Sequence, residues 1–376
     1  MTRPRYVVFL TATACGVALG TSTVALPLLA LEAGHSAERI GFFTGAGALT
    51  QLTSRAFIGA LLRRFPDRMV IAAATVALIS TFAAVSVFRH ALAFVAAASL
   101  EGMARALFWT GIQTHVVRGQ KEVGSNIAKV TLAGYVGLGI GPTLAGALLD
   151  VSPLLSLGWG ALCSALALAG ALRLDKWPPF SPPKEAGRVR VWRRRPVVIG
   201  SLATGVAGSW RGLLSSYVPV ALVAGSQTSA GVGLAVTLGS GANMLAALAL
   251  VRQQPRRQER GIVIGCAVAG LGIGVLGLMA GSAVIVILCL VASGFAAGML
   301  QITGASYAAQ GVHPEERGDV LALTGLVRAA AIMATPVFVA VMLHVVPLGA
   351  ALAMVGALLT VSPVVLIRRA RGDARP

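Results

Sequence analysis

The sequence predicts an all-α membrane protein with twelve transmembrane helices in two pseudo-symmetric six-helix bundles. The 376-residue chain is 56% hydrophobic and only 12% charged, whereas a soluble domain carries about 25% charged residues. Apolar stretches of roughly 20 residues, long enough to cross a bilayer core of about 30 Å, recur from end to end. These stretches form two sets of six on either side of one proline-rich basic segment.

The predicted spans follow the apolar stretches, with boundaries good to about three residues. The first span is longer than the apolar core of a signal peptide and eleven more spans follow it, so we expect it to be retained. The spans are 6–30, 40–62, 69–88, 91–115, 126–149, 153–172, 197–223, 230–251, 261–281, 283–305, 319–343 and 345–367.

Basic residues lie in alternate loops and so predict the topology. They cluster at 63–68, 176–195 and 368–375, whereas the opposite loops hold only Arg39 and Arg89. By the positive-inside rule, both termini and the central loop are cytoplasmic, in the inner membrane of a bacterium or its equivalent. The formal net charge of +18 therefore reflects membrane topology and attraction to anionic lipid, and not nucleic-acid binding.

The central segment 174–196 is a linker that separates residues 1–173 from residues 197–376, and the two halves show weak self-similarity. A shift of 192 residues superposes Pro27 on Pro219, Gly47 on Gly239 and Gly102 on Gly294, and a shift of 194 superposes Pro142 on Pro336. In order and at nearly one offset, these matches predict a duplicated six-helix unit. Such halves pack around an axis along the membrane normal and enclose a cavity near mid-depth.

The fifth span contains GYVGLGIGPTLAG, residues 134–146. Glycines at spacing four let a neighbouring helix approach closely in lipid, and proline bends the span. The motif, formed by Gly137, Gly141, Pro142 and Gly146, is similar to GxxxGPxxGG of the drug:proton antiporters in the major facilitator superfamily. The whole chain resembles that superfamily, and the resemblance implies its fold and favours export. Ordinary tight packing is the alternative interpretation of the glycines.

The loop after the second span is similar to a second signature of the superfamily, GxxxD(R/K)xGR(R/K). Gly59, Arg64 and Arg68 fit it, but Arg63 occupies the aspartate position and Pro66 a glycine position. In the family that aspartate helps to close the cytoplasmic side. Whether Asp67 replaces it is left open by the sequence.

Ionisable side chains inside spans are the main candidates for a functional site, because each costs roughly 2.5–3.5 kcal/mol at mid-bilayer. On span four, Glu101, Arg105, Trp109 and Gln113 recur every four residues and form one stripe. Burial favours a neutral carboxyl group and a nearby arginine favours an ionised one, so Glu101 is the proton-coupling candidate. The alternative is an ion pair between Glu101 and Arg105 that only holds the helices together.

Further cavity candidates lie on the seventh, tenth and eleventh spans: Trp210, Arg211, Tyr217, Gln301 and Arg328. Together with Arg55 and Arg105, the arginines inside spans exceed Glu101 by three charges, which favours anionic or zwitterionic cargo. Snorkelling arginines and ordinary interhelical hydrogen bonds are the alternatives.

These observations predict a secondary transporter, and not an enzyme, that exports a small amphiphilic or anionic compound by alternating access driven by protons. Import of an organic anion by symport and a non-transporting membrane sensor are the alternatives. We expect a monomer with a small-molecule substrate, protons and lipid as its partners. Neither the histidines nor the four cysteines have metal-ligand spacing and no P-loop is present, so we expect no metal, cofactor or ATP site.

Overall fold

A computed structural model describes residues 3–117, 123–179, 192, 194–249, 258–312 and 317–372. The regular structure of these residues is helical and comprises thirteen α-helices. They are α1 (Arg3–Glu32), α2 (Ala37–Arg64), α3 (Asp67–Val87), α4 (Ala91–Val117), α5 (Val123–Val151), α6 (Pro153–Leu172), α7 (Arg195–Leu214), α8 (Tyr217–Ala224), α9 (Ser229–Ala249), α10 (Gln258–Leu278), α11 (Ala283–Gln310), α12 (Arg317–Met342) and α13 (Leu348–Gly372).

Eleven of the predicted spans correspond to one helix each, within a few residues at each end. Nine helices in the described ranges are long and apolar enough to cross a membrane, and α13 adds a shorter apolar stretch, Leu348–Val361. The multi-pass character predicted from composition is therefore confirmed.

The seventh predicted span, 197–223, is divided between two helices, because α7 ends at Leu214 and α8 begins at Tyr217. The hydroxyl of Ser215 donates to the carbonyl oxygen of Arg211 at 3.1 Å, and that of Ser216 to Gly212 at 2.7 Å. Such side-chain bonds compete with the backbone ladder. Pro219 lacks an amide hydrogen and its ring crowds the carbonyl four residues earlier, which disfavours continuing the helix through this point.

The helices form two compact units. The first comprises Met1–Glu185 with Thr228–Thr237, the first turns of α9, and the second comprises Ala186–Gln227 with Leu238–Pro376. In the first unit α1 packs against α5, and α3 packs against α4 and α6. In the second, α7 packs against α12, and α10 packs against α11 and α13. Each pair has its counterpart six spans later, as expected for a duplicated unit, while the domain boundaries at 173 and 197 stay a prediction.

The offset that relates the two halves in sequence relates atomic contacts as well as residue types. A Cβ atom on Gly102 would overlap the carbonyl oxygen of Gly47, and a Cβ atom on Gly294 would overlap that of Gly239. Each unit therefore has a helix crossing at which only glycine fits, at equivalent positions. This agreement supports the twofold internal repeat.

A second equivalence lies in the short connections between helices. Nε2 of His35, between α1 and α2, lies 2.9 Å from the carbonyl oxygen of Arg89. Nε2 of Gln227, between α8 and α9, donates to the carbonyl oxygen of Gly281 at 3.2 Å. Both members of the second pair follow those of the first by the repeat offset, so different side chains perform the same bridging task in the two units.

Candidate substrate and proton site

Glu101 is at the centre of the candidate site in the first unit. It lies in the middle of α4 with 16% of its side chain exposed, and it forms an ion pair with Arg105, one turn later and 15% exposed. The hydroxyl of Ser22, on α1, donates to Oε1 of Glu101 at 3.2 Å. The carboxylate is thus held by its own helix and by a neighbouring one.

The rest of the predicted stripe on α4 faces α5. The rings of Trp109 and Tyr135 lie 6.2 Å apart between centroids. The indole covers Gly134, where a Cβ atom would overlap the six-membered ring of the tryptophan. Nε2 of Gln113 approaches the hydroxyl of Thr131 at 3.4 Å. The structure therefore brings all four predicted stripe residues to the side of α4 that meets α1 and α5.

The glycines of α5 allow this close arrangement. Cβ atoms on Gly137 and Gly141 would overlap the carbonyl oxygens of Thr13 and Val17 on α1. Gly139 lies off this face, and a Cβ atom there would meet nothing within 4 Å. One face of the motif is thus the groove in which α1 lies.

The other face of α5 meets the first turns of α9, within the first unit. The hydroxyl of Thr237 donates to the carbonyl oxygen of Gly139 at 2.6 Å and accepts from the amide of Thr143 at 3.2 Å. The hydroxyl of Thr143 also donates to Thr237, at 2.7 Å. A Cβ atom on Gly146 would overlap the carbonyl oxygen of Ser229. The predicted motif residues therefore contact two helices on two faces.

Asp67 lies at the start of α3 and is completely buried. Its carboxylate accepts from the amide of Arg68 at 2.9 Å and lies 3.2 Å from Nδ1 of His115, near the end of α4. In the second unit, Glu259 at the start of α10 accepts from the hydroxyl of Tyr307 on α11 and lies 3.4 Å from Arg195. Glu259 and Tyr307 follow Asp67 and His115 by the repeat offset, so the two carboxylates are equivalent.

This placement bears on the signature of the loop after α2. Gly59 and Arg64 are exposed and Arg68 is partly exposed, and the guanidinium of Arg64 lies 5.7 Å from the centroid of the Phe65 ring. Asp67 bonds within its own unit, to α4.

In the second unit the predicted cavity residues occupy different environments. Trp210 is 1% exposed, and its Nε1 donates to the hydroxyl of Ser293 at 3.0 Å. Ser293 follows Glu101 by the repeat offset, so a neutral hydroxyl replaces the carboxylate here. Tyr217 is fully buried at the start of α8. The remaining three are partly exposed and lie on three different helices, α7, α11 and α12: Arg211, Gln301 and Arg328.

Sequence reasoning missed three of these partners: Ser22, Thr237 and the pairing of His115 with Asp67. The third could have been found in the sequence, because the repeat offset aligns Asp67 with Glu259 and His115 with Tyr307. Both positions thus hold an acidic residue and a side chain that can hydrogen-bond to it. The other two are ordinary hydroxyl residues in apolar helices. Among the residues that the structure describes, no three histidine, cysteine or acidic side chains come together as metal ligands.

The sequence was compared with models of protein families and with curated proteins. The model of the Major Facilitator Superfamily matches residues 8–336. No curated protein matches the chain significantly in sequence.

Solved structures with the same fold include three transporters. A POT family transporter in complex with 5-aminolevulinic acid has a TM-score of 0.80 at 15% identity, covering 100% of this chain and 97% of that one. A variant of the nucleoside transporter NupG has a TM-score of 0.79 at 13% identity, with coverages of 99% and 100%. A POT family transporter in complex with a thioalcohol-conjugated peptide has a TM-score of 0.77 at 15% identity, with coverages of 99% and 97%. At these identities the likeness shows the fold alone.

Proposed function

Because the chain belongs to the Major Facilitator Superfamily, we propose that it exports a small amphiphilic or anionic compound in exchange for protons. The family makes the protein a multi-pass membrane transporter of small molecules, and not an enzyme. Proton coupling, the export direction and the class of cargo are our proposal. So are the inner-membrane location, the cytoplasmic termini and the monomeric state.

The environment of Glu101 is the observation that carries the proposal. A carboxyl group that is 16% exposed in the middle of a membrane helix is expensive to ionise unless it is compensated. Arg105 compensates the charged form, and the hydroxyl of Ser22 can donate to a charged carboxylate or accept from a protonated one. Both protonation states therefore have partners, which is the requirement for a group that binds and releases a proton.

Competition for Arg105 gives a route to coupling. When Glu101 is ionised, its carboxylate neutralises the guanidinium; when Glu101 takes up a proton, Arg105 is free to bind an anionic group. The indole of Trp109, one turn further along α4, offers an apolar surface beside that charge. An anionic group next to an apolar or aromatic body is the cargo that this stripe suits best.

The export direction rests on the similarity of the α5 motif to that of drug:proton antiporters. The substrates named for the POT and NupG structures differ from one another in chemistry. They do not select a cargo for this chain.

The test is proton-driven transport by purified protein in liposomes that contain a pH-sensitive dye. Salicylate serves as a small anionic amphiphile and salicylamide as its neutral analogue. Export predicts that a proton gradient drives salicylate against the proton flow, and symport predicts movement in the same direction as protons. Proton and salicylate movements that are uncoupled from each other in wild-type protein would refute the proposal.

Two variants separate coupling from general damage. In Glu101→Gln, the pH gradient is expected to lose its effect on transport, while exchange of labelled for unlabelled salicylate continues. Glu32→Gln changes an exposed carboxylate at the end of α1 and is expected to behave as wild type. A wild-type pH dependence in Glu101→Gln would remove Glu101 from the mechanism.

A further inference from the structure

Two aromatic side chains of the first unit, Trp109 on α4 and Tyr135 on α5, form a corner one turn along α4 from Arg105. Their ring centroids lie 6.2 Å apart and the ring planes are tilted by 53°. We propose that this pair, which we call the aromatic corner, binds a planar aromatic ring of the cargo, and that Tyr135 sets the preference for such cargo. The inference rests on the proposed function, because it names the substrate class of the same site.

The indole of the aromatic corner is held in place by its own unit. A Cβ atom on Gly134 would overlap Cη2, at the tip of the indole of Trp109. The ring thus fills a notch in α5 that only glycine leaves open. Phe108, which is fully buried, meets the indole edge-on with 5.7 Å between the ring centroids. Because the indole is already immobilised, stacking a cargo ring on it costs little additional side-chain entropy.

The polar atoms of the aromatic corner are hydrogen-bond donors. An indole nitrogen can only donate, and a phenol hydroxyl can donate or accept. Among the residues that the structure describes, no partner binds Nε1 of Trp109 or the hydroxyl of Tyr135, and both side chains are partly exposed. The guanidinium of Arg105 also only donates. These groups therefore suit a ring that carries an anionic group and an oxygen acceptor.

Open space lies next to the aromatic corner on the side of Arg105. Helices α4 and α5 run antiparallel, as two contacts show: Trp109 with Gly134, and Gln113 with the earlier residue Thr131. One turn in the other direction along α4 therefore corresponds to one turn forward along α5, which brings Arg105 and Gly139 to a similar level. A Cβ atom on Gly139 would meet nothing within 4 Å. A cargo ring that lies against Tyr135 can thus extend its anionic group toward Arg105.

The shape and the chemistry of the aromatic corner together select a class of cargo. Aromatic rings attract one another in offset or edge-to-face arrangements, with centroids about 4.5–7 Å apart. Each such pair strengthens binding about two- to tenfold beyond the effect of the area that it buries. A saturated ring of the same size buries a similar area and gains nothing of this kind. The aromatic corner therefore favours planar aromatic carboxylates, or similar planar anions, over aliphatic acids.

The test measures binding without transport, by equilibrium dialysis of the purified protein in detergent micelles. Benzoate and cyclohexanecarboxylate have the same charge and the same number of carbon atoms, but only benzoate is planar. Near neutral pH, we expect the wild-type protein to bind benzoate about two- to tenfold more tightly than cyclohexanecarboxylate. Equal affinities, tighter binding of cyclohexanecarboxylate, or no binding of either acid would overturn the proposal.

Variants of Tyr135 separate the effect of its ring from that of its hydroxyl. Tyr135→Phe keeps the ring and should keep the preference for benzoate. Tyr135→Leu removes the ring and should reduce the preference at least about twofold, and Tyr135→Met makes the same comparison if size-exclusion profiles show that the leucine variant does not fold. Phe57→Leu, at a position that is 68% exposed, should leave the preference unchanged. A full preference for benzoate in either folded variant without the ring would overturn the assignment of Tyr135.

The three monohydroxybenzoates, which include salicylate, test the hydroxyl of Tyr135. At least one isomer should bind to the wild-type protein about two- to tenfold more tightly than benzoate, because its ring oxygen accepts a hydrogen bond from Tyr135. This advantage should disappear in Tyr135→Phe. If no isomer has the advantage, or if it survives in Tyr135→Phe, the hydrogen bond from Tyr135 is refuted.

The binding assay and the liposome assay distinguish failure of this inference from failure of the proposed function. A preference for planar acids in a protein that moves protons and salicylate independently would refute the proposed function and support the aromatic corner. Coupled movement of protons and salicylate by a protein that binds benzoate and cyclohexanecarboxylate equally would refute the aromatic corner alone.

Discussion

The ion pair between Glu101 and Arg105 gives a quantitative prediction that separates a coupled site from two independent polar residues. Both side chains are about 15% exposed, so each charge has lost most of its water. Removing one partner leaves the other charge buried, which typically destabilises a protein by 3–5 kcal/mol. With the remaining exposure, we expect Glu101→Gln and Arg105→Met each to lower the free energy of unfolding by about 3 kcal/mol.

The double variant carries the decisive information. Glu101→Gln/Arg105→Met leaves neither charge without compensation, so we expect its loss to be smaller than that of either single variant, and not the roughly 6 kcal/mol of two independent losses. The coupling energy between the two residues is then at least about 3 kcal/mol. Unfolding by denaturant in detergent micelles, followed by tryptophan fluorescence, measures all three variants. Additive losses would show that the two charges act separately, and would refute the competition for Arg105 on which the coupling scheme rests.

Three further predictions concern other parts of the molecule. Asp67→Ala should lower the free energy of unfolding by about 2–3 kcal/mol, because it leaves a buried ring nitrogen of His115 without its hydrogen-bond partner. Glu259→Ala, at a partly exposed pair, should lower it by about 1 kcal/mol. Equal losses in the same unfolding assay would contradict the burial argument. Gly141→Ala should abolish the yield of folded protein in membranes, because its Cβ atom would overlap α1. Gly139→Ala, whose Cβ atom would meet nothing within 4 Å, should leave that yield unchanged. Size-exclusion profiles of the two variants check this, and equal yields would contradict it. Arg211→Ala should raise the KM for salicylate at least tenfold and leave that for salicylamide within about twofold, if its charge attracts the cargo; an equal rise for both would argue for a structural role.

Much of the fold could be predicted from the sequence, because the lipid bilayer restricts which segments can cross it. A helix that crosses lipid must be long and apolar. The apolar stretches therefore predicted the bounds of eleven helices to within a few residues. The repeat was also readable, since residues such as Gly47 and Gly102 must be small in both halves for the same geometric reason. Gly239 and Gly294 meet that requirement in the second.

The parts that sequence did not predict depend on single hydroxyl groups. The seventh span is broken at Ser215 and Ser216, yet α1 continues to its equivalent Pro27 although Ser22 and Thr23 bond to the carbonyl oxygen of Leu19 in the same way. Thr237 resembles any threonine on a membrane helix until α5 is placed beside it. A hydroxyl can bond to its own helix or to another, and only the packing decides which.

Ser293 stands at the position equivalent to Glu101, so the two halves differ in chemistry at a point where their helix geometry agrees. A protein made from two copies of the first half would carry two acidic groups at this depth, and one made from two copies of the second half would carry none. The helix geometry is common to both halves, while a carboxyl group is present at this position in one half and absent from the other. The variant Ser293→Glu would therefore ask whether a second carboxyl group at the equivalent position adds proton coupling to the second half.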